Sequence, residues 1–182
     1  MSSIVTSVRE FFLNQNLTKA VKANSAKRNS IDYKDAKSIG IYFNASEEEH
    51  SAKINNFVKE LKNEGKNVEA ITYLNSSQDN PYNFQYHVLK DEDISMFGKI
   101  NAEKINKFID KEFDYLYCIC TDLQTPVKYL MAASKARCRV GTYAEENSGF
   151  FELMVGNKNS NNLTELIQNM VHYSHAIKSV VA

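Results

Sequence analysis

The chain has 182 residues, 43% of them hydrophobic and 24% charged, with 22 Lys and Arg balanced by 22 Asp and Glu. That suits one ordinary globular domain with a sizeable core. The zero net charge excludes a global field that would draw the chain to nucleic acid or an anionic membrane, and no run approaches the roughly 18 apolar residues of a membrane span.

Residues 3–23 read as a helix, because Ile4, Val5, Val8, Phe11, Phe12, Leu17 and Val21 recur at near-helical spacing. Residues 24–37 are polar and linker-like, and the basic-leaning stretch 19–37 reads as a solvated helix end rather than a nucleic-acid site. Residues 38–43 form a first strand ending at Asn44. Ser46 followed by Glu47, Glu48 and Glu49 is a helix start, with a capping side chain and then acids where the helix dipole favours them. Ile54, Phe57, Val58 and Leu61 give that helix its buried face, and Gly65 suits its C-terminal cap.

A second strand follows over 67–74, a polar loop over 75–83, and a third strand over 84–89. Residues 101–111 form a helix with Ile105, Phe108 and Ile109 inward. The most informative stretch is FDYLYCICTDLQTPVKYLMAASKARCRVG, residues 113–141. An apolar run stops at Thr121-Asp122, a helix follows Pro126, and a short strand closes the unit at Cys138–Gly141. Strand, crossover helix and strand imply a parallel sheet covered by helices. A last strand over 149–155 and a helix over 163–181 complete the order. The expected fold is a three-layer α/β sandwich: a mostly parallel, Rossmann-like sheet of five or six strands with an N-terminal helix. Residues 1–36 are assigned to that helix and a linker, and 37–182 to a single Rossmann-like domain.

The three cysteines, Cys118, Cys120 and Cys138, read as reduced core thiols of a reducing compartment. Cys118 and Cys120 are expected on opposite sides of the sheet. The N-terminus shows no secretory pattern, so a cytoplasmic setting is expected.

Parallel sheets carry ligand sites beyond the carboxyl ends of their strands. No glycine-rich phosphate loop is present: Gly40 lies inside the first strand, and Asn44-Ala45-Ser46 contains no glycine. Asn44, Asp122 and Gln124 are the candidate ligand-binding residues at strand ends. Asp122 can serve as a base, but Asp122 or Thr125 can instead cap the helix at Pro126. Arg137 and Arg139 share one face and can hold a phosphate or carboxylate, or pair with Asp114, Glu145 or Glu152. His172 and His175 are spaced i,i+3 but read as a polar helix face, so no metal ligand, catalytic residue or cofactor motif is assigned. Tyr73, Tyr82, Phe84, Tyr86 and Phe97 cluster around 75–97, as pocket, interface or packing.

At IGIYFNA (39–45), the 113–141 stretch and FELMVG (151–156), the chain resembles an uncharacterised domain family of Bacteroidetes bacteria. That resemblance spans most of the chain and implies a lineage and a compartment but no chemistry. Phe113-Asp114 leading through a helix to Arg139-Val140-Gly141 is also similar, over about 30 residues and at the level of fold, to the N-terminal half of heptosyltransferase-type glycosyltransferases.

Two functions are consistent with these residues. One is a non-catalytic binding or protein-interaction module, with a partner docking on the N-terminal helix around Ile4, Val8, Phe11 and Phe12. The other is a small enzyme or ligand sensor with a polar or anionic small-molecule site at the strand ends.

Overall fold

The computed structural model describes residues 3–24, 28–29, 31–44, 48–74, 86–156 and 162–178. A helix, α1 (Ser3–Ala23), precedes β1 (Ser38–Phe43), α2 (Glu48–Asn63) and β2 (Asn67–Leu74). Then come β3 (His87–Lys90), α3 (Glu103–Asp110), β4 (Tyr115–Ile119), α4 (Thr125–Ala133), β5 (Cys138–Thr142), β6 (Leu153–Val155) and α5 (Leu163–Ala176). The six strands form one all-parallel sheet in the order β3-β2-β1-β4-β5-β6.

This order sorts the helices. The chain leaves β1 toward β2 through α2 and leaves β4 in the opposite direction, toward β5, through α4. Right-handed crossovers running in opposite directions place their helices on opposite faces. Alternation along the strands then builds two cores. Ile39, Ile41, Phe43, Tyr115, Tyr117 and Ile119 pack with Phe57 and Leu61 of α2 and Leu166 and Met170 of α5. Tyr42, Leu116, Cys118 and Cys120 pack on the other face with α3, α4 and Leu13 of α1. The fold is therefore the expected three-layer Rossmann-like α/β architecture.

The strand ends differ from the expectation in ways that have causes. Of the expected third strand, 87–89 pair within His87–Lys90, and 84–85 lie outside the described residues. The last strand is only Leu153–Val155: residues 145–147 form a 3-10 turn, and Phe150 and Phe151 turn into the core instead of extending the ladder. The expected capping Ser46 is outside the described residues, as are 179–181 of the expected terminal helix, and α5 ends at Ala176. Gly65 does end α2: its φ is +78°, and the N–H of Lys66 reaches back to the carbonyl of Leu61 at 3.0 Å.

The stretch read as a linker is tied down. Asn24 donates to the carbonyls of Ala132 and Ser134, and Arg28 to those of Ser134 and Ala136. Lys66, buried, donates to the carbonyls of Tyr33 and Ala36 at 2.9 and 2.8 Å. The Asp114 carboxylate accepts from the backbone N–H groups of Lys37 and Ser38 at 2.8 and 2.9 Å, which fixes the start of β1 beside β4.

Helix α1 lies along α4 and against the turn at 95–98. At Gly98 (φ +66°) an added Cβ would stand 2.5 Å from the backbone nitrogen of Leu13, so the turn meets α1 backbone to backbone. Gly98→Ala combines a positive-φ penalty with a clash that no side-chain rotation relieves, and should cost more than about 1 kcal/mol in urea unfolding. A loss within experimental error would mean that this contact does not hold α1 to the body.

Candidate functional site

In an open parallel sheet the ligand crevice lies where neighbouring strands send their chains in opposite directions. That point is the gap between β1 and β4. Phe43 pairs with Ile119 at the end of the two strands, so Asn44 and Cys120 flank the crevice directly and Thr121-Asp122 follow at its rim. Asn44, Asp122 and Gln124 are exposed at this end of the sheet. Among the described residues no hydrogen bond or ion pair engages the side chains of Asp122 or Gln124. Helix α4 begins at Thr125, one residue earlier than expected. Gln124 occupies the N-cap position without a side-chain cap bond, so neither Asp122 nor Thr125 plays the capping role read from the sequence.

Below the rim the chemistry is muted. Cys118 and Cys120 face the same side of the sheet, with sulfurs 3.5 Å apart. This corrects the expectation of opposite faces, since side chains two apart on a strand point the same way. Burial, then the neighbouring Cys120, pushes the Cys118 thiol well above its ordinary range. Burial, then Cys120 and Cys118, pushes the Tyr42 hydroxyl up as well. A neutral thiol is a poor nucleophile, and a neutral phenol is no base at pH 7. Thr142 donates to the Cys120 carbonyl at 2.8 Å, bracing the crevice from β5. At the neighbouring strand end the Tyr73 hydroxyl donates to Asp91 at 2.7 Å, and Arg9 of α1 donates to the same oxygen at 3.0 Å.

Arg137 and Arg139 are not brought to this crevice. They lie just before and at the start of β5, at the amino end of the sheet. Arg137 sits 3.7 Å from Asp114. Arg139 is buried, grips Glu152 through two nitrogens at 3.0 and 2.6 Å, and donates to the Met131 carbonyl at 2.8 Å. Arg28 approaches the same carboxylate at 3.2 Å. The guanidinium groups of Arg28 and Arg139 thus serve a buried staple among α4, β5 and the segment after α1.

His175 packs its ring on Tyr33 with centroids 4.1 Å apart, and His172 packs edge-on to Tyr173. Among the described residues no group of three His, Cys, Asp or Glu side chains is placed to hold a metal. No helix among them is long and apolar enough to cross a membrane. Tyr86 packs edge-on to Phe43; Tyr82 and Phe84 lie outside the described residues. Clefts do open elsewhere. One of about 590 Å³ runs between β6 and the Glu165, Asn169 and Tyr173 side of α5. Another of about 620 Å³ lies at the amino ends of β1 and β2 beside Lys62 and Lys111.

The sequence reading placed an apolar patch on α1 around Ile4, Val8, Phe11 and Phe12; what it missed is that the turn at 95–98 joins Phe11 and Phe12 there. Phe97 is 63% exposed, Phe11 59% and Met96 55%, and Val8 adjoins Phe11 on the same helix. Phe12 stands edge-on to both Phe11 and Phe97. Asn16 holds the turn in place by donating to the carbonyls of Phe97 and Gly98 at 2.8 and 3.1 Å. Phe97 was grouped by sequence proximity with the 75–97 aromatics, whereas its spatial neighbours lie some eighty positions away on α1.

The buried Cys118 thiol and the buried phenols also set a pH dependence. Their folded-state ionisation is raised, so their contribution to stability is complete below the unfolded values and falls as pH rises past them. For Cys118 the decline begins near pH ~8.5 and for the tyrosines near pH ~10. A pH series of urea midpoints should fall across that window, and Cys118 should resist a thiol reagent at pH 8 until the chain unfolds. Rapid labelling of the native protein at Cys118 would contradict the burial argument.

Comparison with the curated proteins and with the solved structures gives no match. Comparison with family models does: residues 9–177, which include most of α1 and the whole sheet, match one model, and the chain therefore belongs to the family of unknown function DUF6913.

Proposed function

We propose that this chain is a non-catalytic protein-interaction module that docks a partner with an apolar contact surface on α1 and the 95–98 turn. The observation that carries the reading is the exposure of Phe11, Met96 and Phe97 in one cluster on a braced backbone. A contiguous apolar patch held rigidly in water is characteristic of a protein contact. The muted chemistry below the crevice supports the same reading, as does the use of Arg139 in a structural staple. The balanced charge gives nucleic acid no part in it. The free, buried cysteines suit a reducing compartment, and a cytoplasmic setting in a Bacteroidetes bacterium belongs to the proposal.

A photo-crosslinking residue at position 11 or 97 should give one discrete adduct in the native host. The same residue at position 173, also exposed but on α5, should not. Phe97→Asp should abolish the adduct from position 11 while shifting stability by less than about 0.5 kcal/mol, as for an ordinary surface substitution. Absence of an adduct at both positions, or the same adduct from 173, would remove the support for this surface.

A second reading is favoured by a different observation: Asn44 and Asp122 share the switch point of a sheet whose order matches that of nucleotide-binding folds. In this reading the chain is a small enzyme or sensor for a polar or anionic ligand, related in fold to the heptosyltransferase-type enzymes. Asn44, Asp122 and Gln124 bind the ligand; Arg137 and Arg139, at the far end of the sheet, take no part. A thermal-shift screen with nucleotides, sugar phosphates and common metabolites tests it, because a ligand of the folded state raises Tm by mass action. A shift lost in Asp122→Ala favours this reading. A flat screen leaves the interaction module as the better account.

A further inference from the structure

On the face of the sheet opposite α1, a cleft of about 260 Å³ opens between α2 and α5. Its floor is apolar: Phe57 and Leu61 from α2, Ile167 and Val171 from α5, and the ring of Tyr33. One rim is acidic, with Glu60 on the last turn of α2 and Glu64 just past its end. The other rim carries Gln168 and His172 at the same spacing on α5, with no carboxylate.

Three observations set the ligand's chemistry. First, the Glu64 carboxylate points to the floor, where the Tyr33 hydroxyl donates to it at 3.4 Å. Burial, then the charge of Glu64, raises the pKa of that hydroxyl, so it stays protonated as a donor and the negative charge beside it is that of the Glu64 carboxylate. Second, among the described residues no lysine or arginine forms an ion pair with Glu60 or Glu64, although α2 and its flanks are rich in lysine. Third, the Tyr33 ring is already engaged by the Lys66 ammonium, 4.6 Å from its centroid, and by His175. A cation entering the cleft therefore meets carboxylates rather than a free aromatic face.

Apolar floor, acidic side and small volume together suit a short alkyl chain ending in a cation. The volume lies just below the usual range of ~300–1,000 Å³ for small-molecule sites. We propose that the α2/α5 cleft binds an alkylammonium group, with Glu64 and Glu60 holding the ammonium and Phe57, Leu61, Ile167 and Val171 receiving the methylenes. The same group is carried by a free aliphatic amine and by a lysine side chain. This inference does not depend on the α1 surface, which lies on the other side of the sheet.

The test is an amide-resolved NMR titration of the full chain with n-hexylamine, n-hexanol, hexanoate and the peptide acetyl-Gly-Lys-Gly-amide. Hexylamine should move the resonances of Leu61, Ile167 and Val171, at least tenfold more tightly than hexanol, and hexanoate should not move them. Glu60→Gln with Glu64→Gln, both exposed at the end of α2, should weaken hexylamine tenfold or more with an unchanged melting curve. Tighter binding of hexylamine than of the peptide assigns the site to a free amine, and the reverse order assigns it to a lysine side chain. The proposal is overturned if hexylamine moves no cleft residue, if hexanol binds as tightly, or if the double variant binds hexylamine as the parent does.

Discussion

Every residue of β4 is buried, and that single constraint organises the molecule. A parallel strand apolar on both faces must be covered on both, so Tyr115, Tyr117 and Ile119 require one helical layer while Leu116 and Cys118 require the other. Helices α2 and α5 meet the first requirement and α3 and α4 the second. The crossover from β5 to β6 carries no long helix, only a 3-10 turn, which leaves the second face thin beside β5. Phe150 and Phe151 fill part of that gap from within the crossover, and α1 lies along α4 outside it. The N-terminal helix thus belongs to the core: Leu13 is 2% exposed.

Polar contacts reinforce this arrangement where helix geometry leaves carbonyls without partners. The last carbonyls of α4 have no intrahelical donors. Arg139 takes that of Met131 and Asn24 that of Ala132, while Asn24 and Arg28 also hold the carbonyls of Ser134 and Ala136 just past the helix. Two of those three side chains come from the stretch after α1 that reads as a polar linker. The Glu152 carboxylate holds the two guanidinium groups together, and removing it would leave two partly buried cations facing each other.

The elements were legible wherever local pattern and burial agree. The extents of α1, β1 and β2 and the inward residues of α3 follow from local pattern alone, whereas the inward face of α1 does not: Val8, Phe11 and Val21 are exposed and Leu13 is buried. The short β6 was not legible. Its apolar residues include Phe150 and Phe151, which are buried by turning off the strand line, and an apolar run does not distinguish the two. Among the candidate residues, the position of Asn44 and Asp122 at the carboxyl edge of the sheet was legible, because a strand end is a sequence event and a parallel sheet gathers such ends on one edge. Arg137 and Arg139 were grouped with them although they precede and open β5, and direction along the chain places them at the other edge. The role of Phe97 was hidden for a different reason: it depends on contact with α1, some eighty positions away, which no local pattern encodes.

The two candidate surfaces are also physically joined. Arg9, between Val8 and Phe11 in the α1 sequence, donates to Asp91, and Asp91 accepts in turn from Tyr73 near the carboxyl end of β2. The Tyr73 hydroxyl is held protonated at ordinary pH by burial and by that carboxylate, so it remains a donor and the chain of contacts stays intact. From Tyr73 the packing continues to Tyr42 and the Cys118–Cys120 pair beneath the crevice. A partner seated on Phe11 and Phe97 would therefore press on a helix whose polar anchor ends at the strand edge where a ligand would sit. The proposed α1 surface and the proposed crevice site share one set of contacts, so a substitution at Arg9 or Asp91 should disturb both, whereas one at Phe97 or Asp122 should separate them.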